Sequence, residues 1–163
     1  MQSDDNTVIN NFAESNLKGI RVEGDNNNIT GNETNDNKDE NFQIKGNNNR
    51  LVNNPANGGD EECFLIEGNN NSLVNNSARD CEDGFLLSDE DGGGDNNRIL
   101  NCNAVGNRAD GIVAGSGAID NRITNNNVFE NGSFDLEDEN LDCNNNVWKR
   151  NKFFSSEPVE RPP

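Results

Sequence analysis

The run Ser88-Asp-Glu-Asp-Gly-Gly-Gly-Asp95 sets three carboxylates, Asp89, Asp91 and Asp95, on a glycine-rich turn. Flexible oxygen ligands of that kind suit calcium, which accepts six to eight oxygens in adaptable geometry. The run follows neither the EF-hand loop nor the nonapeptide calcium repeat, and a solvated insertion loop is the competing reading. Carboxylate pairs such as Glu61/Glu62, Asp80/Asp83 and Asp89/Asp91 could serve acid–base hydrolysis, but with 30 acidic residues such pairs arise without selection for catalysis. The chain has no His and no Tyr, so imidazole or phenol catalysis is excluded. Arg98, Arg108 and Arg122 lie near Asp95, Asp110 and Asp120. Arg50, Arg98 and Arg122 also recur in one slot, as a surface column among acidic neighbours does. Cys63, Cys81, Cys102 and Cys143 show no zinc spacing and fall in different repeat columns, which reads as unpaired thiols with the redox compartment left open.

These groups are positioned by a repeat. The motif Asn-x-(apolar)-x-x-Asn places an apolar residue at Val8, Ile29, Leu51, Leu73, Ile99, Ile123 and Val147, at spacings of 21 to 26 residues. So short a unit holds two or three brief strands, one turn of a solenoid. A small residue recurs at Ala13, Thr34, Ala56, Ala78, Ala104 and Val128. Large ones recur at Ile20, Phe42, Phe64, Phe85, Ile112 and Phe134, and further apolar ones at Val22, Ile44, Ile66, Leu87, Ala114 and Leu136. Stacked coils set like on like about 4.8 Å apart, so the Phe column predicts an aromatic stack. Two Asn columns, Asn11/Asn32/Asn54/Asn76/Asn126 and Asn6/Asn27/Asn49/Asn71/Asn97/Asn121, predict buried amide ladders at tight turns. The expected fold is all-β: a single-stranded parallel β-helix of about seven coils over residues 5–154, with an N-terminal tail 1–4 and a disordered C-terminal tail 155–163. Val147, Trp148, Phe153 and Phe154 are expected to cap its end.

Units such as Asn49-Arg-Leu-Val-Asn-Asn54 and Gly111-Ile-Val-Ala114 resemble the right-handed parallel β-helix repeat proteins, the pectate-lyase-like superfamily with its NosD-type repeats. The resemblance supplies the handedness and implies an extracellular or cell-surface location. It leaves activity open, because lyases, hydrolases, epimerases, adhesins and non-enzymatic surface proteins share the fold. The superfamily's enzymes on acidic polysaccharides use an Arg or Lys base, calcium-binding acids, or His and Tyr; the last two are missing here, and the resemblance leaves Arg98, Arg108 or Arg122 as the implied base of a calcium-assisted lyase.

A formal charge of -17 argues against nucleic acid and anionic membranes as partners, since the 13 Lys and Arg form no cluster along the chain. Met1-Gln-Ser-Asp-Asp lacks the features of a signal peptide. The expected function is a non-catalytic solenoid, monomer or low homo-oligomer, offering a long surface to polysaccharide or protein. A minimal calcium-assisted lyase or hydrolase, and a solenoid fragment or engineered scaffold without activity, are the alternatives. The surface proposed from strand alternation is the column Ile9, Thr30, Val52, Val74, Leu100, Thr124 and Trp148.

Overall fold

The computed structural model describes residues 1–88 and 94–157, apart from the side chains of residues 143–144 and 156–157. The chain winds as a parallel β-solenoid of about six turns. Three sheets form its walls. The first stacks Thr7–Ile9, Asn28–Thr30, Arg50–Val52, Ser72–Val74, Arg98–Leu100, Arg122–Thr124 and Val147–Lys149. The second stacks Phe12–Glu14, Glu33–Asn37, Pro55–Gly59, Ser77–Arg79, Asn103–Val105 and Asn127–Phe129, and the third runs from Ile20–Val22 through Phe42–Ile44, Phe64–Ile66, Phe85–Leu87 and Ile112–Ala114 to Leu136–Asp138 and Ser156–Glu157. Among the described residues no helix is long and apolar enough to cross a membrane.

The core follows from the columns. Ile29, Leu51, Leu73, Ile99 and Ile123 project inward from the first sheet, Ala56, Ala78 and Ala104 from the second, and Phe42, Phe64, Phe85 and Ile112 from the third, all essentially inaccessible to solvent. The rings of Phe42, Phe64 and Phe85 stack with centroids 4.7 Å apart, the coil spacing itself. Coil stacking imposes this near-parallel arrangement, with planes 1° and 10° apart.

The corners carry the Asn signature in two parts. One residue of each turn adopts the left-handed conformation, φ 53–58° at Asn10, Asn53, Asn75, Asn101 and Asn125, with Gly31 in the same slot. The next residue turns its amide inward. Asn32 Nδ2 donates to Asn54 Oδ1 at 3.2 Å and Asn54 Nδ2 to Asn76 Oδ1 at 2.9 Å, while each backbone N–H donates to the amide oxygen of the next coil. The ladder residues and the left-handed residues are therefore neighbours in sequence, not the same residues. Cys102 takes one rung, its sulfur accepting from the Asn76 N–H at 3.4 Å. Asn76 is fully buried and its Nδ2 also donates to Leu51 O at 3.0 Å, so Asn76→Ala is expected to cost about 1–3 kcal/mol in denaturant unfolding.

The last coil departs from the predicted register. Leu136, not Phe134, pairs with Ile112, and Asp138 takes the column of Ala114. Trp148 pairs with Ile123, leaving Val147 beside Arg122 and 41% exposed. The motif's two asparagines are met only in the frame Asn146-Val-Trp-Lys-Arg-Asn151, because the frame centred on Val147 ends on Arg150. Asn146 occupies the rung, accepting from the Asn121 N–H, which places Trp148 inward and removes it from the surface column. Its indole N–H donates to the buried Asp138 carboxylate at 2.8 Å. Phe153 and Phe154, expected in the cap, are 39% and 84% exposed. Residues 1–4 lie against the first coil, where the Met1 amine donates to Arg21 O, and 158–163 fall outside the described residues.

Cys63 and Cys81 are joined in a disulfide, against the reading as unpaired thiols. Their columns face each other across the corner between the second and third sheets, where Asn37 donates to Asn41 and Asn131 to Asp135. Gly59 fills the Asn37 slot in the coil of Cys63, so that cysteine faces no side chain at that slot of its own turn and reaches Cys81 of the next.

Candidate functional site

The slot two residues before each third-sheet strand holds Lys18, Glu40, Glu62, Asp83, Asp110 and Phe134. Four successive coils thus stack carboxylates in one row, and Asp39, Glu61 and Glu82 add a second row one residue earlier. Beside the rows, the outward side chains of the third sheet, Leu65, Leu86 and Val113, form an aliphatic floor. Two hollows share Leu86 and Ser88 along this floor. One of about 270 Å³ lies among Glu40, Glu61, Glu62 and Glu82, and one of about 440 Å³ among Asp83, Asp110, Glu137 and Glu139. Together they make a carboxylate-walled groove along the third face.

Neighbouring coils force these acids together. Carboxylate oxygens of Glu40, Glu61 and Glu62 lie within 4.8 Å of one another. Asp83 Oδ1 accepts from the Asp110 N–H at 2.8 Å, Asp110 Oδ1 from the Phe134 N–H at 2.7 Å, and Glu139 Oε2 from the Ser116 N–H at 2.9 Å, so the carboxylates are pinned to the coils. Among the described residues one cation enters the row, Lys18, which pairs with Glu40 and lies 3.4 Å from Asp39. Burial first, then the charges of Asp83, Glu61 and Glu40, push the Glu62 carboxyl up to about 7. Burial, with Asp110, Glu82 and Glu139, pushes Asp83 up to about 6. Glu61 and Asp110 are raised by burial and by like charges in the same way.

A carboxyl raised in the folded state binds protons there that the unfolded chain releases, so its contribution is fully present below the ordinary values of 3.8 for Asp83 and 4.5 for Glu62 and is lost as pH rises through about 6 to 7. Melting at constant ionic strength is expected to fall between pH 5 and pH 8 by roughly 2–8 °C, corresponding to about 1–2 kcal/mol once solvent screening of these half-buried groups is allowed for. Glu62→Gln should flatten the profile. An unchanged slope would show that the row does not govern it.

The residues singled out from sequence fare differently. Asp89 and Asp91 lie outside the described residues. Asp95 serves the turns, its Oδ1 accepting from the Ile119 N–H at 2.9 Å and its own N–H donating to Asn69 Oδ1 at 2.8 Å. Arg108, a candidate base, is spent on carbonyls, donating to Asp80 O, Gly59 O and Asp60 O. In the surface column Ile9 is 47% exposed, Thr30, Val74 and Leu100 are half-buried, and Val52 and Thr124 are buried. The acidic row was missed as a row, although Glu40, Glu62, Asp83 and Asp110 keep a constant offset from Phe42, Phe64, Phe85 and Ile112.

Residues 1–159 match the family described as "Periplasmic copper-binding protein (NosD)". Searches of curated proteins and of solved structures find no match.

Proposed function

The chain belongs to the NosD family, and from that premise we propose that it is a non-catalytic periplasmic solenoid that binds divalent cations through the carboxylate-walled groove of its third face. The observation that carries this reading is the four-coil carboxylate row, which Lys18 alone enters among the described residues. Stacked like charges repel, and a cation or a proton relieves them.

The donor set decides which cation. Copper sites are built from imidazole, thiolate and thioether groups. The chain has no His and one Met, Cys63 and Cys81 are joined to each other, and Cys102 is buried in the ladder with its thiol pushed up to about 11 by burial. The Cys143 side chain is outside those described. The groove offers carboxylate oxygens, which suit calcium, magnesium or manganese, and lacks the imidazole and sulfur ligands by which proteins select copper. Of these hard cations calcium, considered from the sequence for Asp89, Asp91 and Asp95, is the one we propose for the groove.

Calorimetric titration with calcium chloride at pH 7.5 is expected to give a dissociation constant of about 0.1–1 mM, the range of extracellular calcium modules. Glu62→Gln with Asp83→Asn should weaken it at least about tenfold, or 1.4 kcal/mol. Equal affinity in the variant would remove the groove from the account.

A further inference from the structure

Along the sequence the basic residues are scattered, but coil stacking gathers four of them. Arg98 and Arg122 pair directly across adjacent first-sheet strands, and Lys149 pairs with Thr124 in the next coil, followed by Arg150. These four line one hollow of about 190 Å³ with Leu100, Thr124 and Asn125. No carboxylate lines it, and none forms an ion pair with any of the four among the described residues. In a chain of net charge -17 this is a local reversal of sign, on a different face from the acidic groove.

The energetics run against such an arrangement in isolation. Like charges directly opposite on adjacent strands destabilise the pair, and here Arg98 and Arg122 are register partners with two further cations lining the same hollow. A bound anion reverses the sign, because each fork can give two parallel N–H···O bonds to an oxyanion. Thr124, which lines the same hollow, adds a hydroxyl that can donate. At about 190 Å³ the hollow falls below the roughly 300–1,000 Å³ of drug-sized sites, so it receives an anionic group and not a whole large ligand.

We propose that Arg98, Arg122, Lys149 and Arg150 form a binding site for the oxyanion group of a small ligand, such as the carboxylate of a sugar acid or an inorganic sulfate. The site is independent of the cation-binding groove. Leu100 and Thr124 belong to the surface column read from the sequence, which here gains a charged rim at its C-terminal end.

The test is thermal melting and calorimetry with sodium sulfate and sodium galacturonate, each against sodium chloride at matched ionic strength. The wild-type chain should be stabilised by one or both anions beyond chloride. A response to galacturonate alone assigns the site to sugar acids, and a response to both assigns it to oxyanions in general. Arg98→Gln with Arg122→Gln, both exposed and outside the core, should weaken that binding at least about tenfold. Arg50→Gln, in the same column but outside the hollow, should leave it unchanged. No anion-specific response in the wild type, or equal responses in the double variant, would overturn the site.

Discussion

Replacing Phe64 by alanine is expected to destabilise the solenoid by about 3–5 kcal/mol, the largest effect of any single substitution considered. Phe64 is fully buried between Phe42 and Phe85, each 4.7 Å away, so its removal deletes both halves of a three-ring stack. The walls cannot close over the gap. Strand spacing along the tube is fixed by backbone pairing, and the corner is fixed by the amide rungs, so the cavity stays open and its lining loses contacts. Chemical denaturation checks this against Phe12→Ala, which removes a ring that is 59% exposed on the first coil and should change stability by no more than about 0.5 kcal/mol. Equal effects at the two positions would mean that the Phe column is not the core.

The second large effect is covalent. The Cys63–Cys81 bridge closes a loop of 18 residues, and removing it as Cys63→Ser with Cys81→Ser should cost about 3 kcal/mol through the freedom returned to the unfolded chain. Reduction of the wild-type chain should reproduce that loss without adding to it in the double variant. Both cysteines are buried at a corner that otherwise uses amide pairs, so the serine hydroxyls inherit polar neighbours and the fold survives. The bridge also fits an oxidising compartment such as the periplasm. A double variant as stable as the parent, or one that still loses stability on reduction, would contradict this account.

The fold was legible because a solenoid writes its geometry as period. Leu51 stands beneath Leu73, Ala56 beneath Ala78 and Phe64 beneath Phe85, as the spacing predicts. The last coil was misread because Asn145 offers a false start to the motif, although only Asn146 has its partner Asn151 five residues on, and because a loop varies in length ahead of Leu136. Legibility failed again for Cys63 and Cys81. Columns describe neighbours along the tube, whereas that bridge runs diagonally across a corner and depends on the missing side chain of Gly59. The functional groove lay in plain sequence, as acids two residues before each third-sheet strand. In a chain with 30 acids, residue type carried too little information, and only the constant offset from the Phe column set Glu40, Glu62, Asp83 and Asp110 apart. The basic hollow was legible in part, since Arg98 and Arg122 recur in one slot, but Lys149 and Arg150 join them only once the last coil takes its shifted register.

The central claim is that the carboxylate row of the third face holds a divalent cation through oxygen ligands. Its most direct test is a crystal of the full chain soaked in millimolar manganese chloride, with the ion located by its anomalous scattering. The account predicts a peak in the groove within about 2.0–2.6 Å of carboxylate oxygens from the row Glu40, Glu62, Asp83 and Asp110, the distance range of hard cations. An empty groove at saturating manganese, or manganese bound only elsewhere on the molecule, would contradict it.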